Sequence, residues 1–278
     1  MQRATKHHRP TPPFPTPARP SLTRSTGLAA VAGLFLTAAA SADPASAPEV
    51  ATTENPSNSP APKEQQDAKP LVKKLENGDY QIGKIIFNRD KRSITIPAKT
   101  NITHQDTFLE YLLVHFNGEK VHEALLVTEA APTNLNIALK LLNYKESPEL
   151  FRVAKEDGTP SDEYPEVPES IRQAARFSID ITWKDKGVER TRPITHWLEH
   201  SGTKKHMPDT AWVYNGSYVH NQKFKAQLSG SMVTIFPDPG AIANYPGDDR
   251  DDDTIWVPGA KVPREGTDVR LTIKPWKK

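Results

Sequence analysis

Alternation of apolar and polar positions dominates the second half of the chain. Phe177 to Trp183 reads FSIDITW, with Phe177, Ile179, Ile181 and Trp183 on one side and Ser178, Asp180 and Thr182 on the other. That period of two is the signature of a half-buried strand. Asp268 to Pro275 (DVRLTIKP) alternates in the same way. Tyr80 to Phe87 (YQIGKIIF) and Arg92 to Pro97 (RSITIP) read as strands joined by the polar turn Asn88-Arg89-Asp90-Lys91. Val188 to Arg192, entered through a Lys186-Gly187 turn, Trp212 to Tyr218 and Ser231 to Phe236 are further strand candidates. One stretch changes period. Pro132 suits a first helical turn, and Leu135, Ala138, Leu139 and Leu142 follow at helical spacing. Ile171 to Arg176 and Asp238 to Tyr245 read as short helical turns. Many strands with short links and one helix predict an α+β class: a single domain over residues 70–278, built on a mainly antiparallel sheet.

The stretch that organises this reading is Phe108 to Asn143. Asn117-Gly118 separates two strand-like runs, and Asn-Gly is the strongest short-range hairpin signal. A two-residue type I′ turn would place Phe116 opposite Glu119 and Leu112 opposite Glu123, with Gly118 taking a positive φ. In that register Leu112, Val114, Phe116, Val121, Leu125 and Val127 share one face, and Glu110 and Glu123 fall on it as diagonal neighbours. Tyr111, Leu113, His115, Lys120 and His122 take the other face. Two carboxylates on an apolar face each need a partner, expected to be an Arg or Lys from the first or last strands, or a cation.

Composition alters the picture mainly at the N-terminus. Arg3, Lys6, Arg9, Arg19 and Arg24 form an acid-free basic region, an apolar run from Gly27 to Ala40 follows, and Ala40-Ser41-Ala42 is an A-x-A site. Residues 1–42 therefore read as a secretory signal peptide, with the mature chain beginning at Asp43 and no transmembrane segment after cleavage. Residues 43–69 are rich in Pro, Ala, Ser, Asn and Gln and read as a disordered linker. Taking the leader's five basic residues from the total of 36 leaves 31 Lys+Arg against 34 Asp+Glu, so the basic balance belongs to the leader. Nucleic acid is not an expected partner. With no cysteine, disulfides, thiolate metal sites and a cysteine nucleophile are excluded.

Candidate chemistry is sparse. Glu110 and Glu123, with His122 nearby, are the catalytic candidates, because paired carboxylates split their pKa values and can divide acid and base roles. The bland alternative is an ion pair with a neighbouring Lys or Arg. His196-Trp197-Leu198-Glu199-His200 matches H-x-x-E-H, a zinc-peptidase pattern when helical. Ser201-Gly202 cuts such a helix short, so solvated histidines are the expectation. The acidic loop Asp248 to Asp253 offers Asp249, Asp251 and Asp253 as calcium candidates, without the spacing of a twelve-residue calcium loop. No cofactor is predicted beyond that calcium alternative. Asn215-Gly216-Ser217 is a turn signal. There is no P-loop, G-x-G-x-x-G or G-x-S-x-G.

From Gly83 to Pro275 the chain resembles the YdjY-domain family. The resemblance rests on Leu109-Glu110-Tyr111, Lys120-x-His122-Glu123 with Leu125-Leu126, and Pro132-Thr133 leading to Ala138-Leu139. It continues through Trp183-Lys184-Asp185, Trp197, Trp212-Val213-Tyr214 with Gly216-Ser217, and Gly266-Thr267. It implies a single extracytoplasmic domain behind a signal sequence or lipid anchor, with no assigned catalytic residues. The chain lacks the cysteine of lipid-anchored relatives, which implies a soluble form. The expected function is a secreted or periplasmic binding or structural module. The rival is a carboxylate- or metal-dependent enzyme using Glu110 and Glu123.

Overall fold

A computed structural model describes residues 71–157 and 159–277. The expected leader (1–42) and linker (43–69) lie outside the described residues. The domain opens with β1 (Lys73–Lys74), β2 (Tyr80–Ile82), β3 (Ile85–Asn88) and β4 (Ser93–Thr100). β5 (Tyr111–His115), β6 (Ala124–Thr128) and helix α1 (Pro132–Leu141) follow. After α2 (Glu169–Ala175) come β7 (Arg176–Asp185), β8 (Val188–Pro193), β9 (Leu198–His200) and β10 (Trp212–Tyr214). The last third holds β11 (Val219–His220), β12 (Lys223–Phe224), α3 (Lys225–Ser229), β13 (Ser231–Thr234), β14 (Ala243–Asn244), β15 (Trp256–Pro258) and β16 (Asp268–Pro275).

The expected α+β class is overturned. The domain is mostly β, and its large sheet closes into an eight-stranded barrel. The barrel order is β4-β16-β7-β10-β14-β13-β5-β6, and β6 returns to β4 through Lys99↔Val127 and Thr100↔Leu126. β4 serves two partners along one edge: its first half pairs with β3 (Phe87↔Ile94) and its last two residues with β6. β8 extends β7 as a hairpin across the Lys186-Gly187 turn (Asp185↔Val188). The closure follows from where the alternating strands put their apolar side. Leu271 of β16 sits between Ile96 and Ile181, and Ile273 between Ile94 and Ile179, all essentially buried. These layers fill the interior with side chains, as an eight-stranded barrel allows.

The Asn117-Gly118 hairpin is also overturned. β5 and β6 run parallel, with Tyr111↔Ala124, Leu113↔Leu126, Val114↔Val127 and His115↔Thr128. The chain turns at Gly118, whose N–H donates to the His115 carbonyl at 2.7 Å, and then travels back along β5. A short 3₁₀ turn at Val121–Glu123 delivers it to the start of β6. Burial supplies the physical reason: Tyr111 to Val114 and Ala124 to Leu126 are covered on both faces, and continuous apolar runs belong to parallel strands. Gly118 has no positive φ. It is needed because a Cβ there would stand 2.9 Å from both the His115 and Ser229 carbonyl oxygens.

Other elements depart in smaller ways. YQIGKIIF is two strands, folded back at Gly83 (φ +55) so that Ile82 pairs with Ile85. Asp238 to Tyr245 is not helical: Asn244 closes that loop by accepting the Asp238 N–H at 2.8 Å and donating to the Asp238 carbonyl at 3.0 Å. That closure lets β14 run parallel to β13. α1 forms where the periodicity places it, with Pro132 in its first turn and Leu135, Ala138 and Leu139 buried. Among the described residues no helix is long and apolar enough to cross a membrane.

Candidate functional site

Glu110 and Glu123 meet, although through a parallel register rather than a hairpin. The Glu110 N–H donates to the Glu123 carbonyl at 3.2 Å, at the start of the β5–β6 pair. The Glu110 carbonyl accepts from Ile235 (2.7 Å) and Phe236 (3.0 Å), which fixes this residue against the end of β13. Asn101 holds the other side. Its amide donates to the carbonyls of Val121 (2.7 Å) and Ala124 (2.8 Å), so the 3₁₀ turn that carries His122 and Glu123 is pinned to the end of β4.

The partner of both carboxylates is Lys120, which the hairpin register places on the opposite face. Its Nζ lies 2.9 Å from Glu123 Oε2 and 3.9 Å from Glu110 Oε2. His122 Nε2 is 3.0 Å from the other Glu123 oxygen. The glutamates are about three-quarters covered, with side-chain exposures of 26% and 23%, whereas His122 is 70% exposed. This environment separates the two carboxyls. Burial, followed by repulsion from Glu123, holds Glu110 above the ordinary carboxylate value, and Lys120 offsets only part of that. Burial pushes Glu123 up as well, but hydrogen bonds from Lys120 and Glu110 outweigh it, and its pKa is lowered.

A second polar chain runs alongside. The Tyr111 hydroxyl donates to Asp238 Oδ2 at 3.2 Å, and Lys120 Nζ sits 5.8 Å from the Tyr111 ring centre. Burial first, and the Asp238 charge second, keep the Tyr111 phenol protonated far above its usual range. Asp238 Oδ1 accepts from the Gly240 N–H at 2.7 Å. Asn244 then links this loop to Asn215 through a 2.7 Å amide contact. Chemically, this is a carboxyl with a raised pKa beside one with a lowered pKa, with a buried phenol adjacent. The alternating pattern could not have placed Tyr111 and Asp238 together; they are brought together by β5 pairing with β13, 120 residues away in sequence. Lys120 was reachable from sequence only as the cation three residues before Glu123.

The remaining candidates disperse. The H-x-x-E-H residues do not share a helix, because the helical turn Ile194–Trp197 gives way to strand at Leu198. His196 stacks on His206, with centroids 5.8 Å apart. His200 packs edge-on against Trp256 and accepts the Gly202 N–H at 3.1 Å, while Glu199 accepts from the Ala260 N–H. The acidic loop spreads as well. Asp249, Asp251 and Asp253 stand on the turn after Gly247, where the Asp252 N–H donates to the Asp249 carbonyl at 3.2 Å. Among the described residues no group of three or more His, Asp or Glu is placed to hold a metal ion.

The family model described as the YdjY domain matches residues 85–274. No curated protein and no solved structure matches the chain.

Proposed function

The chain belongs to the YdjY-domain family, and from that premise we propose that this domain is an extracytoplasmic binding module with the barrel as its scaffold. The observation that carries the reading is the way the glutamates are satisfied. Lys120 takes both carboxylates, so the most pointed acidic pair is held as an internal ion cluster. Concave surface lies instead on the outer wall, as in the hollow of about 670 Å³ bordered by Pro193, Pro275 and Trp276 with Ser178, Asp180 and Thr272. Binding sites combine such apolar and aromatic walls with a few polar groups. The basic leader and the A-x-A site support export of the mature chain from Asp43.

One observation favours the rival, carboxylate-dependent chemistry. Glu110 is pushed toward its protonated form beside an ionised Glu123, as an acid–base pair requires. Thermal-shift screening of the purified protein and its Glu123→Gln variant against small anions, sugars and peptides separates the readings. A saturable rise in Tm that survives Glu123→Gln supports the module. Turnover of any of these compounds that disappears in the variant establishes the enzyme.

A further inference from the structure

We propose that a notch beside the β7–β8 hairpin binds a small organic oxyanion, a carboxylate or phosphate carried on a ring with an apolar face. The inference rests on the binding reading and names the ligand class for one particular site. The notch has a volume of about 210 Å³ and is walled by Trp183 and Trp197. That is below the roughly 300–1,000 Å³ of sites for drug-sized ligands, so the occupant is small.

Strand register explains why cations gather there. Arg190 pairs with Trp183 and Arg192 with Ile181, and cross-strand neighbours share a face. Both arginines therefore stand on the side of β8 that turns toward the aromatic wall. Trp183 and Trp197 meet edge to face, with centroids 5.0 Å apart, and Trp197 is buried, so the wall is fixed. Lys261 lines the notch from another loop.

The charges are not balanced from within. Asp185 lies 3.7 Å from Arg190, a long pair between half-exposed groups. Among the described residues, the Arg192 guanidinium donates only to the carbonyl of the adjacent Thr191, at 3.0 Å. Among the described residues, neither Arg192 nor Lys261 has a carboxylate within ion-pair distance. His196 and His206 complete the rim as stacked rings, each steadied by its own acid: Asp209 at 3.6 Å and Glu199 at 3.8 Å. Unpaired guanidinium and ammonium donors recognise an oxyanion through charge-assisted hydrogen bonds, and the guanidinium can do so bidentately. The partly exposed Trp183 indole takes the ring, backed by the buried Trp197, since aromatic walls favour a flat apolar surface.

The test is a titration of the purified protein with three probes, read at the indole N–H resonance of Trp183, which Trp183→Phe identifies. Glucuronate carries both anion and ring, inorganic phosphate the anion alone, and glucose the ring alone. Glucuronate is expected to bind more tightly than either partial probe. The Arg192→Gln/Lys261→Gln double variant, altered only at exposed side chains, is expected to lose roughly tenfold or more in affinity with its Tm unchanged. Failure of glucuronate to bind overturns the inference. So does glucose binding as tightly as glucuronate, or glucuronate binding undiminished in the double variant. Should glucuronate fail to bind while a different compound raises the Tm equally in wild type and double variant, this notch is rejected while the module reading stands.

Discussion

Gly118 and Gly230 meet backbone to backbone. A Cβ on Gly230 would lie 2.6 Å from the Gly118 Cα, and the contact is flanked by His115 N–H to Gly230 carbonyl (2.8 Å) and Glu119 N–H to Ser229 carbonyl (2.9 Å). Gly230 also holds φ at +79°, ending α3. Gly230→Ala therefore incurs both left-handed strain and a clash, and is expected to cost about 2–4 kcal/mol. Gly118→Ala meets only the packing term and should cost less. Urea denaturation of the two variants measures the difference; equal losses would mean that the φ of Gly230 contributes nothing.

The two glutamates should respond in opposite directions to neutralisation. Glu110 holds its proton more tightly in the folded state, so its contribution to stability is largest at low pH and falls as pH rises through its raised pKa. Glu123 has a lowered pKa, so its contribution is present above the ordinary value of 4.5 and is lost as pH falls through the depressed one. At neutral pH Glu110→Gln should leave stability unchanged or raise it. Glu123→Gln breaks the 2.9 Å contact to a partly exposed Lys120 and should cost roughly 1 kcal/mol, a solvent-screened figure. Denaturation midpoints at neutral and acidic pH check both signs. Destabilisation by Glu110→Gln above pH 4.5 would refute the assignment.

Legibility tracked period and failed at pairing. FSIDITW and DVRLTIKP announced β7 and β16, and the spacing of Leu135, Ala138 and Leu139 announced α1, because local alternation is written in the residues themselves. The closure of the barrel was not written there. It depends on Lys99 and Thr100 reaching β6, a contact that no period encodes. The Asn-Gly dipeptide misled because its glycine serves a close approach to Gly230, not a positive φ. The better signal was the unbroken YLLV and ALLV runs, which mark strands covered on both faces. Glu110 and Glu123 still met, since both flank the β5–β6 pair in either register; Lys120 changed sides, and Tyr111 found Asp238 only through tertiary pairing.

Leu139→Ala should lower stability by about 2–5 kcal/mol, as a fully buried leucine on the packed stripe of α1. Leu141, on the same helix but 38% exposed, supplies the control. Leu141→Ala is expected to stay within about 0.5 kcal/mol. Comparable losses at the two sites, measured by thermal and chemical denaturation, would show that the stripe does not face the core.

Calcium at about 1 mM, where weak extracellular sites fill, should leave the Tm unchanged. Asp249, Asp251 and Asp253 do not converge: among the described residues no group of three or more His, Asp or Glu is placed to hold a metal ion. Asp253→Asn should behave as wild type in the same titration. A calcium-dependent rise in Tm that Asp253→Asn removes would contradict this geometry.

The position of β16 constrains when the barrel can form. Among the described residues this strand is the last, yet it lies between β4, among the first, and β7, pairing with both along nearly its whole length. A chain emerging from the ribosome therefore holds β4 and β7 without the strand that joins them until Asp268 to Pro275 has been made. Long-range pairing of this kind carries the loop-closure cost before any contact rewards it. Every truncation that removes the final strand should leave two bare edges rather than a smaller stable barrel. A nascent chain therefore stays open across this seam, with the whole span between Thr100 and Asp268 free to rearrange, until that strand is available to join its two partners.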